Sequence, residues 1–500
     1  MTTETRLGVC NLCEAICGLV LTIDTEQRRV TGIRGNPDDP LSRGHICPKG
    51  VSLADIQADP DRLRRPLRRI GRGAEATWEE MEWDDALELV AERLAGVVAE
   101  HGPNAVGVYQ GNPSAHSLGL FTHGRTLRKV LGTRNVFSAS TVDQMPHHVM
   151  ARRMFGHQFL IPVPDIDRTD LFVVVGANPM ASNGSLMTVP DFPQRVRELK
   201  ARGGRMIVLD PRRTETAKIA DEHHFVRPGT DAALLLALVH VLLEEGLARP
   251  RDYVDGLDRL AGLVAPFTPE AAAATTGVEA TTVRRLAREL AAAPSSVVYG
   301  RIGVSTHEFG TLCQWAITCI NLLTGHLDAP GGAMFPEPAI DLVAHGLAGP
   351  GTQGRWRSRV RGAEEVGGEF PAVVMAEEIT TPGEGRIRAM LTIAGNPVLS
   401  TPSGDRLAAA LDELDFMVAI DIYLNETTRH ADVVLPTTSL LERDQYDVVF
   451  HSFAVRNTAR WTPAALERED DQRHDWEISY ELVRRLSEKL RSEEHTSELQ

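Results

Sequence analysis

After residue 160 the chain alternates short, almost wholly apolar runs with longer stretches of helical period. "DLFVVVGANP" (170–179) is a β-branched run ending in Gly-x-Asn-Pro, which predicts a buried parallel strand opening into a loop. "DFPQRVRELKARGG" has helical spacing stopped by glycines, and "RMIVLDPRRTETAKIAD" (205–221) supplies the next strand, with Asp210 at its carboxyl end. "RPGTDAALLLALVHVLLEEG" (227–246) predicts a nearly all-apolar helix whose N-cap comes from the Pro-Gly-Thr-Asp turn. This alternation predicts a doubly wound parallel α/β sheet.

The pattern then returns. "AMLTIAGNPVLS" (389–400) is a strand ending in Gly-Asn-Pro, and "DFMVAIDIYLNETTRHADVVLP" (415–436) holds a strand ending in an aspartate. Asp210, Thr216, Lys218, Ala220 and Asp221 match Asp421, Thr427, Arg429, Ala431 and Asp432, so both halves carry D-x5-T-x-[KR]-x-A-D. Matching strand-end signatures imply two similar nucleotide-type sites facing one another. Open α/β sheets bind ligands at strand carboxyl ends, where an acid suits ribose hydroxyls or a guanine edge. The glycines permit close backbone approach, and the asparagine offers donors and an acceptor. The plainer alternative is that these turn residues only end strands. "GRGAEA" (71–76) resembles a dinucleotide fingerprint, but the helix "WDDALELVAERLAGVVAE" starts too late, at about residue 83, so a hairpin turn fits better.

Composition narrows the class. The 500 residues are 42% hydrophobic and carry a net charge of -15, which argues against nonspecific nucleic-acid binding. "RLRRPLRR" (62–69) reads as a solvated connector. No apolar run is long enough to span a membrane, and the start lacks a signal pattern or twin arginine, so a cytoplasmic protein is expected. Four of the six cysteines, Cys10, Cys13, Cys17 and Cys47, read C-x2-C-x3-C-x29-C. Three close thiolates and one distant one suit an iron–sulfur cube, with a zinc site or unrelated buried thiols as alternatives. Cys313 and Cys319, in "TLCQWAITCINLL", read as small hydrophobes in a packed helix. Lys49 in "CPKG" is either a solvated charge or a cation between that cluster and a second redox partner.

Together these residues resemble the molybdopterin oxidoreductases of the dimethyl sulfoxide reductase family, which holds formate dehydrogenases and periplasmic or assimilatory nitrate reductases. The resemblance runs from about residue 6 to about 490. It is carried by the cysteines with "CPKG", by "WDDALELVAERL", "LGTRNVFSAS", "VVVGANPMASN" and "MIVLDPRRTETAKIADEHHFVRPGTD", and by "LLTGHLDAPGG", "AGNPVLS" and "ETTRHADVVLPTTSLLERD". It implies two molybdopterin guanine dinucleotides around one molybdenum or tungsten ion, beside a 4Fe-4S cluster. Gly176, Asn178, Asp210, Gly229 and Asp231 would serve one dinucleotide, and Gly395, Asn396, Asp421 and Thr427 the other. Lys49 would ease electron passage between cluster and pterin. The implied partners are a small-molecule substrate and an electron-transfer protein or subunit: a ferredoxin, a flavoprotein or an iron–sulfur subunit.

The metal-ligand segment, "SASTVDQMPHHVMARRMFGH" (138–157), departs from the formate dehydrogenase pattern. Six residues after Asp143, where that pattern has cysteine or selenocysteine, stands Val149, and Met150 takes the histidine's place. Asp143 is then a candidate carboxylate ligand, and His147 and His148 are candidate acid–base groups with pKa values near neutrality; the bland alternatives are a turn residue and surface histidines. The expected organisation is an iron–sulfur lobe (1–58), a split α/β lobe (59–135 and 325–490) and a continuous one (136–324). A non-native tail (491–500) and a missing C-terminal β-barrel are also expected. The Gly-rich stretch 346–371 is expected to be a funnel loop or a mobile segment without regular structure. A structural or electron-transfer subunit of a respiratory complex, with the same fold and no molybdenum, is the alternative function; a zinc-stabilised binding module is a third. Nitrate, formate, sulfoxides and other small oxyanions or hydroxylated compounds all stay open as substrates.

Overall fold

The computed structural model describes residues 2–497. The chain opens with an antiparallel sheet of β1 (Thr3–Val9), β2 (Gly18–Asp24) and β3 (Arg29–Gly35). Next comes the antiparallel hairpin β4 (Leu67–Ile70) and β5 (Thr77–Glu80), so "GRGAEA" is a hairpin turn as expected. Helix α1 (Trp83–His101), β6 (Val106–Gln110), α2 (Leu118–Leu131) and β7 (Val136–Ser138) follow. After α3 (Met145–Phe155) and the short β8 (Val163–Pro164) the chain builds β9 (Leu171–Val175), α4 (Phe192–Ala201), β10 (Arg205–Leu209), β11 (Glu222–His224), α5 (Asp231–Glu244) and β12 (Ser296–Gly300). These strands form a parallel sheet of order β11-β10-β9-β12. Beyond α6 (Gly310–Leu323), β13 (Ala333–Met334) pairs with β8, and β14 (Gln353–Arg357) with β15 (Glu364–Val366). The chain then returns through β16 (Ala389–Ile393), β17 (Phe416–Ile420) and β18 (Val433–Leu435) to complete a seven-stranded sheet, β5-β4-β18-β17-β16-β6-β7, and ends in α7 (Asp475–Ser497). Because β7 belongs to that sheet, the crossing between sheets comes after Ser138 rather than at residue 136.

The continuous apolar runs have a simple cause. In β9, Leu171, Val173 and Val175 enter one core against α5 and α6, while Phe172 and Val174 enter another against α3 and α4. The seven-stranded sheet is likewise covered, by α1, α2 and α7 on one face and by residues 372–379 and 407–411 on the other. Cys313 and Cys319 lie in the apolar core of α6, as expected. No helix among the described residues is long and apolar enough to cross a membrane.

Some expectations need correction. "RLRRPLRR" is no solvated connector: the Arg62 side chain is fully buried and pairs with Glu442 at 3.0 Å, and buried Arg69 pairs with Asp432 at 3.1 Å. Those carboxylates arrive from the far end of the chain, which a local charge run cannot reveal. The Gly-rich stretch carries the ribbon β14–β15 and so has regular structure. Thr230 occupies the N-cap of α5, but its hydroxyl donates to Arg227 O at 2.7 Å instead of capping the helix. Helix α7 runs on through Ser497, into the stretch expected to be a separate tail, whose last three residues lie outside the described residues.

Candidate functional site

The four-stranded sheet and the parallel part of the seven-stranded sheet, β18 to β7, each have one point where strand order reverses, and there the loops leave to opposite faces and open a crevice. In the first sheet the reversal lies between β9 and β12; in the second, between β16 and β6. Two glycines meet at each. Gly303 N donates to Gly176 O at 2.8 Å, and a Cβ on Gly303 would stand 2.7 Å from that oxygen. Gly111 N donates to Ile393 O at 2.8 Å, and a Cβ there would lie 2.5 Å from Gly395 Cα and collide with Ala394 O. The sequence reading found Gly176 and Gly395 and missed Gly303 and Gly111. The available signal was the glycine just beyond each strand in "YGRIG" and "YQGNP".

The repeated motif makes the same side-chain lock in both places, although Thr216 N also donates to Asn178 Oδ1 at 3.1 Å whereas Thr427 N donates to Asn425 Oδ1 at 2.9 Å. Thr216 Oγ1 donates to Asn178 Oδ1 at 2.7 Å, and Thr427 Oγ1 to Asn396 Oδ1 at 2.7 Å. Each threonine also accepts the N–H two residues beyond its asparagine, from Met180 at 3.2 Å and Val398 at 3.1 Å. The asparagine Nδ2 atoms donate to Glu215 at 2.8 Å and Glu426 at 2.6 Å. The closing aspartates pin the start of each strand: Asp221 accepts from Met206 N at 2.8 Å, and Asp432 from Met417 N at 2.8 Å. Thr427 is fully buried and reaches its crevice only through Asn396. Asp210, whose carboxylate accepts from Arg212 N at 2.8 Å, is pushed up by burial. Asp421 accepts from Ile422 N at 2.7 Å, and burial pushes it up to about 6. Gly229 has φ 78 with nothing near its would-be Cβ, an open cradle at the foot of α5; beside it, burial raises Asp231, whose carboxylate lies 3.8 Å from His307 Nε2.

The cysteine loop folds back on itself through Cys10 N donating to Cys17 O at 2.8 Å, with Ile16 in the left-handed region at φ 38. Cys47 stands before the short helix Pro48–Val51, where Gly50 packs beside Cys10, its would-be Cβ 3.5 Å from Cys10 Sγ and 2.9 Å from Ile46. Burial, and then the neighbouring thiols, push Cys10 up to about 11 and Cys17 higher still. Exposed Lys49 pulls Cys10 and Cys13 the other way. All four sulfurs thus lie within electrostatic reach of one another. Such crowded thiols become thiolates when a metal group supplies positive charge, so the donor set fits a cluster. Among the described residues no three His, Cys, Asp or Glu side chains form a ligand set for a single metal ion.

A charged centre joins the end of β12 to the cysteine loop. Arg301, just beyond β12 and buried, donates to Asp143 Oδ2 at 3.0 Å and to Asp143 O at 2.8 Å. Burial raises Asp143 while Arg301 lowers it. Glu14, from the cysteine loop, accepts from Leu186 N at 2.8 Å and from Ser185 Oγ, and is raised by burial against the pull of Arg301. Neither Arg301 nor Glu14 was anticipated. The histidines differ from expectation: both are buried, not at the surface, and neither titrates near neutrality. His147 Nε2 donates to Gly300 O at 3.2 Å, leaving Nδ1 buried without a partner, and burial then Arg301 hold its pKa well below the usual range. His148 Nδ1 donates to Gln158 O at 2.9 Å, and burial pushes it down to about 4. Met150 is core, against Thr318, while Asp143 is the residue at the charged centre. Partnerless His147 Nδ1 and Arg301 Nε leave polar capacity at the charged centre that fits a bound polar group.

Two parallel α/β switch points, each with a crevice, and a four-thiol loop define the architecture of a ligand-binding α/β protein with a cluster-type cysteine loop. The chain belongs to the molybdopterin oxidoreductase family: the family model, Molybdopterin oxidoreductase, matches residues 62–485, and the Molybdopterin oxidoreductase Fe4S4 domain matches residues 3–59. It is 29% identical to formate dehydrogenase H of Escherichia coli, over 96% of this chain and 68% of that protein. To the thiosulfate reductase molybdopterin-containing subunit PhsA of Salmonella typhimurium it is 27% identical, over 96% and 64%. To a nitrate reductase of Symbiobacterium thermophilum it is 29% identical, over 96% and 65%. The chain thus spans about two thirds of their length. Its fold matches that of acetylene hydratase from Pelobacter acetylenicus with TM-score 0.81 at 20% identity, covering 98% of this chain and 70% of that one.

Proposed function

We propose that this chain is the catalytic part of a molybdenum or tungsten oxidoreductase that passes electrons between a small substrate and a 4Fe-4S cluster. The two crevices would hold two molybdopterin guanine dinucleotides, and the four cysteines the cluster. The observation that carries this is the paired Asn–Thr lock, repeated with the same distances at both switch points. When bound, the metal–pterin group supplies oxygen-atom or hydride chemistry, and the cluster carries the electrons away singly.

The chain's residues have defined parts. Gly176, Asn178, Asp210, Gly229 and Asp231 serve one dinucleotide; Gly395, Asn396 and Asp421 serve the other, with Thr427 setting the Asn396 amide. Asp143 is the candidate protein ligand, its carboxylate oriented by Arg301. His147, buried and held neutral, has a partnerless Nδ1 that can accept a hydrogen bond from a bound polar group. Lys49 provides positive charge beside Cys10 and Cys13. Electrons leave to a ferredoxin, flavoprotein or iron–sulfur subunit.

The test is metal and nucleotide analysis of protein purified anaerobically after growth with molybdate and tungstate. We expect about four irons per chain, molybdenum or tungsten, and guanylate on acid release, with viologen-linked turnover of one substrate in a panel. Iron without molybdenum, tungsten or guanylate would leave the electron-transfer subunit instead.

A further inference from the structure

The corner that presents Cys17 is held by charged side chains from outside the cysteine loop. Ile16, immediately before Cys17, sits in the left-handed region at φ 38, which a β-branched residue adopts only where its surroundings enforce it. The enforcing contact comes from 444 residues away in the chain, where Arg460 Nη2 donates to Ile16 O at 2.6 Å. Arg460 Nη1 pairs with Asp39 Oδ1, so one guanidinium bridges the loop carbonyl and a carboxylate. Asp39 Oδ2 accepts from Ser42 N and from Ser42 Oγ, both at 2.6 Å, and Ser42 Oγ accepts from Gly18 N at 3.0 Å. A Cβ on Gly18 would stand 2.6 Å from the Asp39 side chain, so that carboxylate packs against the residue after Cys17. Cys17 is thus flanked by a cation bonded to the residue before it and an anion packed on the residue after it. The Asp39 and Arg460 side chains are 1% and 15% exposed, so their fields are little screened by water. Lys49, the other cation of the loop, is exposed, and solvent weakens its field.

We propose that Arg460 and Asp39 are a tuning pair for the iron–sulfur cluster: Arg460 holds the Cys17 corner, and the balance of the two buried charges sets the cluster's reduction potential. This rests on the 4Fe-4S part of the proposed function and on neither the pterin nor the substrate. A cluster on four thiolates gains one negative charge when it takes up an electron, so a fixed cation beside it favours the reduced form and a fixed anion opposes it. Arg460 therefore raises the potential and Asp39 lowers it. Paired, the two largely offset one another; removing either leaves the field of its partner uncompensated.

Anaerobically purified holoprotein is assayed for iron, molybdenum, tungsten and guanylate, and the EPR signal of the reduced cluster is followed through a titration with dithionite and redox dyes, dithionite supplying the electron. R460Q should keep its iron and lower the potential, shifting the reduction equilibrium about tenfold or more, which is about 59 mV for one electron. D39N should shift it about as far in the opposite direction. R460K, which keeps the charge, should move it less than about threefold, and the double variant R460Q/D39N should return to within about threefold of wild type. Opposite signs in the two single variants are the result that a merely structural strap does not give. Both single variants within about threefold of wild type, or both shifting the same way, would overturn the pair, as would wild-type protein without iron. If one single variant loses its iron, the other decides: a shift in its expected direction supports the pair and an unchanged potential overturns it. Iron loss in both overturns the tuning role and leaves a strap alone. Wild-type protein with iron but no molybdenum, tungsten or guanylate removes the oxidoreductase reading, whereas opposite shifts would still establish the pair.

Discussion

The crevice at β9/β12 and the crevice at β16/β6 share one hydrogen-bond scaffold and differ in what lies around it. Both lock an asparagine with a threonine at 2.7 Å. The left-handed corner after the strand is Gly176 at φ 54 in one and Ala394 at φ 48 in the other. The glycine next to Ala394, Gly395, is needed for a different reason: a Cβ there would stand 2.6 Å from the Tyr109 ring. The neighbouring strand end carries Arg301 in the first crevice and Gly111-Asn112 in the second. Duplication thus preserved the backbone scaffold and left the electrostatics free to diverge. The cation beside the first crevice, Arg301, pairs with Asp143 at 3.0 Å.

The comparison can be broken most severely at its glycines. Gly111→Ala should cost about 3 kcal/mol or more and empty the second crevice, because its Cβ collides with backbone; Gly303→Ala should cost about 1–3 kcal/mol. Urea midpoints and guanylate release measure both. A milder effect comes from the acids. Folded Asp421 keeps its proton up to about 6, against 3.8 for an ordinary aspartate. The folded state therefore binds more protons than the unfolded state in that window, and stability falls as pH rises from about 4 to about 6. Asp421→Asn should remove that fall, gaining up to about 3 kcal/mol at pH 7 and almost nothing at pH 4. Asp210→Asn should show the same sign, since burial raises Asp210 too. Equal responses would mean that the two acids occupy equivalent environments. The smallest effect tests the shared scaffold. Thr427→Val should cost about 1–2 kcal/mol by leaving Asn396 Oδ1 short of a donor, and Thr216→Val less, because the backbone N–H of residue 216 still donates to Asn178 Oδ1 at 3.1 Å. Equal losses in chemical denaturation would contradict that difference between the two locks.

Much of this was legible along the chain. The β-branched runs became β9, β10, β16 and β17 because residues buried on both faces of a parallel strand have no polar alternation to lose. The D-x5-T-x-[KR]-x-A-D copies were visible because each lock is built within about forty residues of its own strand. Arg301 and Glu14 were not, since their roles come from neighbours on other elements. His147 and His148 looked like titrating groups because adjacent histidines say nothing of burial; inside α3 each gives a ring nitrogen to a carbonyl and is held neutral.

The amino-acid order by itself determined the two parallel sheets, the repeated strand ends and the gathering of four thiols, since strand period, turn chemistry and close cysteine spacing act over short lengths of chain. Tertiary structure alone decided which glycines cross at the switch points and that Arg62 is neutralised by Glu442. Those outcomes depend on distances between segments hundreds of residues apart, and desolvation and charge pairing are set by such distances, not by sequence order.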